Sequence, residues 1–308
     1  SAAVPVVTIS SVVFPAGGVW LAGRLYGAGD AFVRRAGVVV TGSWLTVKEQ
    51  MADRYASELA RRGYTALTFD FTGWGESGGE PRHVETPTSK IADIAAACEF
   101  LSSRSFVAQG GVGYVAVCAS AQYALTAVAV GAPIRSFAAV AGWFHDTATV
   151  APVYGDKPGV EERLRRADAA TQRFVATGEV LTVPAYSLGD DRAGMFTDMD
   201  YYANPARGAV PSWPNIMAEM SWQHWLTFDG LSAADRLTAP ALFVHSDGCV
   251  FPDIVRDLAR RVRGPVEVAW GDGTQTDFYD QPDQVRFAVE AVDRHLTATM
   301  APGEEVPA

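Results

Sequence analysis

One side chain in the run "YVAVCASAQYA" (Tyr114–Ala124) is able to attack a carbonyl carbon. Cys118 ends a stretch of buried-strand residues and is flanked by the small residues Ala116, Ala119 and Ser120. A thiolate is a strong nucleophile, and small neighbours are what a sharp strand-to-helix turn requires. The competing reading is a packing cysteine, because free cysteine is among the most buried residue types. Other reactive side chains also follow directly after apolar runs. They are Thr41-Gly42-Ser43-Trp44, Asp70, His145-Asp146, His245-Ser246-Asp247 and Thr274-Gln275-Thr276-Asp277. Histidine titrates near neutrality and is the commonest proton shuttle. His145 is therefore a candidate base, with the alternative that it tethers the chain that follows it. His245 reads as structural, His83 and His295 as peripheral.

The elements that must position these groups are legible from periodicity. "VVTISSVVFPAGGVWLAGRLYGA" predicts two antiparallel strands around the turn Pro15-Ala16-Gly17-Gly18. About six continuous apolar strands follow, among them "AGVVVTGSW", "TALTFDF", "GVGYVAVC", "IRSFAAVAGWF", "PALFVHSDG" and "PVEVAWGDG". Helical stretches such as "VKEQMADRYASELARRG" and "DQVRFAVEAVDRHL" separate them. Apolar strands alternating with helices predict an α/β fold, a mostly parallel sheet covered on both faces. Ligands of such sheets bind beyond the C-terminal strand ends, where the polar residues above lie. Residues 147–236 break the alternation with aromatics and turns and show little strand character. So long a stretch is improbable as bare loop, and it is expected to be a helical cap or lid inserted between core residues 1–146 and 237–300. Residues 301–308, "APGEEVPA", read as a flexible tail.

Composition narrows the function. The chain has 308 residues, 48% hydrophobic, with net charge -10. The acidic balance and the lack of a long basic run argue against nucleic acid and anionic membrane surfaces as partners. No apolar stretch approaches the roughly 20 residues that span a bilayer, and no basic-then-apolar leader opens the chain. Three cysteines, Cys98, Cys118 and Cys249, at unrelated spacings predict neither a disulfide framework nor a metal site. "GWGESGG" lacks the lysine and spacing of a phosphate loop, and no cofactor is expected. A soluble cytoplasmic protein acting on a small molecule fits, and it admits a homodimer.

The order of elements resembles the α/β-hydrolase superfamily over nearly the whole chain. "AVCAS" resembles its nucleophile elbow, with Cys118 as nucleophile between Ala116 and Ser120. "FDFTGWGESGG" resembles the family's Asp-x-Arg-Gly-x-Gly-x-Ser turn, with Thr72 in place of arginine, and "VHSDGCVFP" resembles the loop of the triad acid. With "TVKEQ" and "DFYDQP", the details are similar to a bacterial branch near the dienelactone hydrolases and Xaa-Pro-peptidase-like acyl hydrolases. The resemblance implies Asp247 as the acid, and an oxyanion hole from the backbone N–H of Ala119 and of Ser43 or Trp44. Two positions depart. The nucleophile is a cysteine, as in dienelactone hydrolases, and the position of the histidine after the last strand holds Gln275, an amide that cannot take a proton.

Cap aromatics are expected either to line an apolar pocket or to form the cap's own core. Trp225 and Tyr202 are the substrate-binding candidates among them, beside Trp143 at the end of a core strand and His224, which would hang over the pocket. Lys48 and Glu49 read as first-turn residues of a surface helix. The expected function is acyl-enzyme chemistry of Cys118 on an ester, thioester, lactone or activated amide. A non-hydrolytic cyclase, lyase or acyltransferase and a non-catalytic binder remain as alternatives.

Overall fold

The computed structural model describes residues 6–27, 33–301 and 304–305. Strands β1 (Thr8–Ala16) and β2 (Val19–Gly27) form the expected hairpin. Its turn is made by Gly17 and Gly18 at φ of 53° and 84°, the left-handed region that glycine enters without a Cβ clash. The parallel strands are β3 (Gly37–Thr41), β4 (Thr65–Phe69), β5 (Val112–Val117), β6 (Ile134–Val140), β7 (Ala241–Gly248) and β8 (Val266–Thr274). They join the hairpin in one eight-stranded sheet of order β1-β2-β4-β3-β5-β6-β7-β8. β2 pairs antiparallel with β4, and every later pairing is parallel.

Strands β3, β4 and β5 are buried along their whole length, because helices cover both faces of the sheet. That is why they read as continuous apolar runs rather than alternating ones. The helices are α1 (Met51–Arg61), α2 (Pro87–Ser102), α3 (Ser120–Ala129), α6 (Pro252–Arg261) and α7 (Pro282–Thr299). In α1, Met51, Tyr55 and Leu59 face the core at four-residue spacing. The turn after β4 absorbs its missing arginine: Thr72 donates its N–H and hydroxyl to Asp93 at 2.7 and 2.9 Å.

Between β6 and β7 the chain leaves the sheet. The inserted segment contains α4 (Asp156–Thr177), α5 (Ser221–Trp225) and shorter helical turns. Its little strand character is one small antiparallel pair, Thr182–Pro184 with Ile216–Ala218. Backbone groups turned away from water need partners, and this pairing supplies them. At the C-terminus, Glu304 and Glu305 pair with Arg34 and Val33. The rest of the expected flexible tail lies outside the described residues. No described helix is long and apolar enough to cross a membrane.

Candidate active site

Cys118 follows β5 and takes φ of 60°, a left-handed conformation unusual for a residue with a Cβ. Its N–H donates to Val140 O at 3.0 Å, and its own carbonyl accepts Trp143 N–H at 2.9 Å and Ala121 N–H at 3.1 Å. The turn is thus held by β6 on one side and by the start of α3 on the other. Such conformations persist only where the surroundings over-determine them. The elbow that the sequence resembles is present, with a thiol at its tip.

The sulfur lines a cavity of about 110 Å³ whose wall is mostly hydrocarbon, including Val153, Met195, Phe196 and Met199 from the inserted segment. Burial pushes the Cys118 thiol above its ordinary value. Hydrogen bonding from Ser43, Tyr279, Gln275 and the Ala119 N–H opposes that rise in part. The Ser43 hydroxyl reaches the sulfur at 3.5 Å.

Two main-chain donors belong to the turns that border this sulfur. The Ala119 N–H is directed at it. In the loop after β3, the Ser43 N–H is occupied by Met51 Sδ at 3.4 Å, whereas the Trp44 N–H has no acceptor among the described residues. The next peptide is clamped. Leu45, at φ of 61°, donates its N–H to Glu85 Oε1 at 3.1 Å and accepts Trp213 Nε1–H on its carbonyl at 2.8 Å. Glu85 is fully buried and is also bound by Lys90 Nζ at 2.7 Å and the Tyr123 hydroxyl at 2.8 Å. Sequence reading missed Glu85. A lone acidic residue before a helix carries no signal until its partners, from four separate elements, are brought around it.

Gln275 lies on the cavity wall where the resemblance places a histidine. Its amide is held at both ends: Oε1 accepts Val250 N–H at 3.1 Å, and Nε2 lies 2.8 Å from Ala141 O and 3.2 Å from the Tyr279 oxygen. Asp247 does not join it. The register of β7 against β8 shifts between Ser246 and Gly248, and the Asp247 side chain, 77% exposed, pairs with Arg256 at 2.6 Å and with Trp270 Nε1 at 3.3 Å. The expectation of Asp247 as a pocket acid is corrected on this ground. A carboxylate without a buried cationic or imidazole partner is costly to desolvate, and this one stays in water. Cys249 is the buried group of that turn, its sulfur 3.3 Å from Ser246 Oγ, and burial pushes its thiol up to about 11.

His145 is also not a base for Cys118. It is fully buried, and its Nδ1 accepts Trp143 Nε1–H at 2.7 Å while its Nε2–H donates to Trp225 O at 2.8 Å. Nε2 tethers the inserted segment to the core while Nδ1 holds the neighbouring Trp143 ring, so both nitrogens are spent, and burial lowers the imidazole to about 4. His224 points to solvent on α5, correcting its expected place over the pocket. His245 donates Nε2–H to Val250 O at 2.7 Å, and its Nδ1 is buried with no partner among the described residues. Of the aromatic candidates, Trp143 and Tyr202 line the cavity. Trp225 stands one layer behind, stacked on Trp44 at 3.8 Å between ring centres. Lys48 is not the surface residue expected: it is buried, with Nζ 2.6 Å from Asp70.

No protein-family model matches the chain. The uncharacterized protein PA2218 of Pseudomonas aeruginosa is 30% identical over 297 residues, covering 91% of this chain and 78% of that protein. Its crystal structure superimposes with a TM-score of 0.81 at 25% identity, covering 94% of each chain. Polyketide transferase claH of Penicillium crustosum is 34% identical over 114 residues, 37% of each chain. The α/β hydrolase GrgF from Penicillium sp. sh18 is similar in structure, with a TM-score of 0.76 at 18% identity over 94% of this chain and 99% of that one. The strand order and the strained turn that ends β5 are those of the α/β-hydrolase fold, and this chain belongs to one family with the uncharacterized protein PA2218 of Pseudomonas aeruginosa.

Proposed function

We propose that the protein is an acyl-transfer enzyme in which Cys118 takes an acyl group from a small thioester and passes it to a nucleophile other than water. The observation that carries this reading is that, among the described residues, neither Gln275 nor His145 offers a free imidazole at the sulfur. Gln275 cannot accept a proton, and His145 has both nitrogens committed. Attack on an ester or amide would expel a strongly basic group that needs a proton from a catalyst. A thioester releases a thiolate of ordinary thiol basicity, about 8.5. The exchange balances without a base. Cys118 Sγ bonds to the carbonyl carbon, the substrate carbon–sulfur bond breaks, and the leaving sulfur takes the proton that Cys118 gives up.

The tetrahedral oxyanion would sit between the N–H groups of Ala119 and Trp44. Donors of this kind stabilise developing charge by about 3 kcal/mol each. Water meets a mostly hydrocarbon wall and no base to activate it, so the acyl-enzyme would persist until a better nucleophile arrives. The partial match to a polyketide transferase supports the same class of reaction. The test is intact-mass spectrometry of the protein mixed with an acyl-N-acetylcysteamine thioester. A single acyl adduct is expected on the wild type and none on Cys118→Ala. Equal labelling of the two proteins would end this reading.

A further inference from the structure

We infer that the Tyr202 hydroxyl forms a subsite beside Cys118 for an oxygen carried near the carbonyl of the acyl group, so that 3-oxo and 3-hydroxy acyl thioesters are the preferred class. The inference rests on the acyl-transfer reading and deepens it. Tyr202 lies on the short helix Asp200–Ala203 of the inserted segment and lines the same cavity as the sulfur. It is 2% exposed, and its hydroxyl has no hydrogen-bond partner among the described residues. A buried hydroxyl left unpaired costs free energy, so such a group in a cavity wall marks where a ligand atom belongs.

The ring cannot swing away to find a partner. Tyr186, Tyr201 and Trp213 pack around it with ring centres 5.8, 5.2 and 5.6 Å away. Its nearest polar neighbours are Ser43 and Tyr279, and neither stands in hydrogen-bonding geometry with it. The Ser43 hydroxyl donates to the Cys118 sulfur, and the Tyr279 oxygen accepts from Gln275. The Tyr202 proton is therefore free, one hydrogen-bond shell beyond the sulfur, where the second or third atom of an acyl chain would lie. Burial keeps this phenol protonated at neutral pH, so it acts as a donor to a keto or hydroxyl oxygen. Farther along, the wall of Val153, Met195, Phe196 and Met199 gives an oxygen no partner and favours hydrocarbon.

The experiment compares acetoacetyl- and butyryl-N-acetylcysteamine. Cys118 acylation is followed by intact mass and divided by each thioester's rate with free cysteine. The wild type is expected to favour the acetoacetyl group by about tenfold, and Tyr202→Phe to bring that ratio close to one. Calorimetry on Cys118→Ala, which cannot react, should show the same preference in binding, lost in Cys118→Ala/Tyr202→Phe. A wild-type ratio near one, or a preference that survives Tyr202→Phe, overturns the subsite while leaving acyl transfer standing. If neither thioester labels the wild type, acyl transfer fails, and the calorimetric preference alone decides the subsite.

Discussion

The Gln275 side-chain carbonyl accepts the Val250 N–H at 3.1 Å, so the turn after β7 and the turn after β8 are joined through an amide. Both turns border the sulfur, and the amide's other end is held by Ala141 O. The junction is rigid and carries no exchangeable base. Gln275→His puts an imidazole at that position. A positioned general base contributes roughly 10²- to 10⁴-fold, and the lower figure is expected here because Asp247 stays outside. Acyl-Cys118 should then hydrolyse about 10²-fold faster, read as loss of adduct mass with release of free acid. An unchanged adduct lifetime would show that proton transfer does not limit hydrolysis.

Alkylation of Cys118 should be slow at neutral pH and keep rising, about tenfold per pH unit, beyond the ordinary thiol value of about 8.5. The sign follows from burial, which favours the uncharged thiol over the hydrogen bonds that favour the thiolate. Iodoacetamide labelling followed by peptide mass spectrometry gives the profile, with Cys118→Ala as the blank. A plateau below pH 8 would mean a thiolate more stabilised than this geometry allows.

Glu85 and Lys90 form a buried ion pair at 2.7 Å, with side chains 0% and 3% exposed. Removing one charge leaves the other uncompensated, and Glu85→Gln should cost about 3–5 kcal/mol in urea unfolding. Glu85→Gln/Lys90→Met should recover most of that loss. If the single variant is as stable as the wild type, the pair is not the clamp on Leu45 described above.

His145 and His245 are buried and neutral, each with its imidazole lowered to about 4. In the unfolded chain they titrate near 6.5. Between these values the unfolded state binds more protons than the native state, so stability falls as pH falls through this window. Each should lose about 2 kcal/mol from pH 7 to pH 5. Asp53 and Asp93, raised to about 6 by burial, pull the opposite way. The measurement is therefore the difference in pH slope between wild type and His145→Gln, with the variant shallower by about 2 kcal/mol over that range. Parallel slopes would contradict a neutral, buried His145.

Much of this was legible in the amino-acid order because it is local. Apolar runs between helical periods mark parallel strands buried on both faces, and small residues around Cys118 mark a turn too tight for larger ones. The Gln275 substitution is visible by position alone. The partners of each side chain were not legible, since they are set by strand register and by packing between distant elements. The bulge in β7 turns Asp247 to solvent, and Trp143 of the core and Trp225 of the inserted segment tie up the two nitrogens of His145. Contacts from four elements gather Glu85, Lys90, Tyr123 and Ser221 under the Leu45 peptide. Residue types and local periodicity therefore determined the fold and the position of the Cys118 thiol. Only the tertiary structure decided which proton acceptors reach the sulfur, because that depends on distances between residues far apart in the chain.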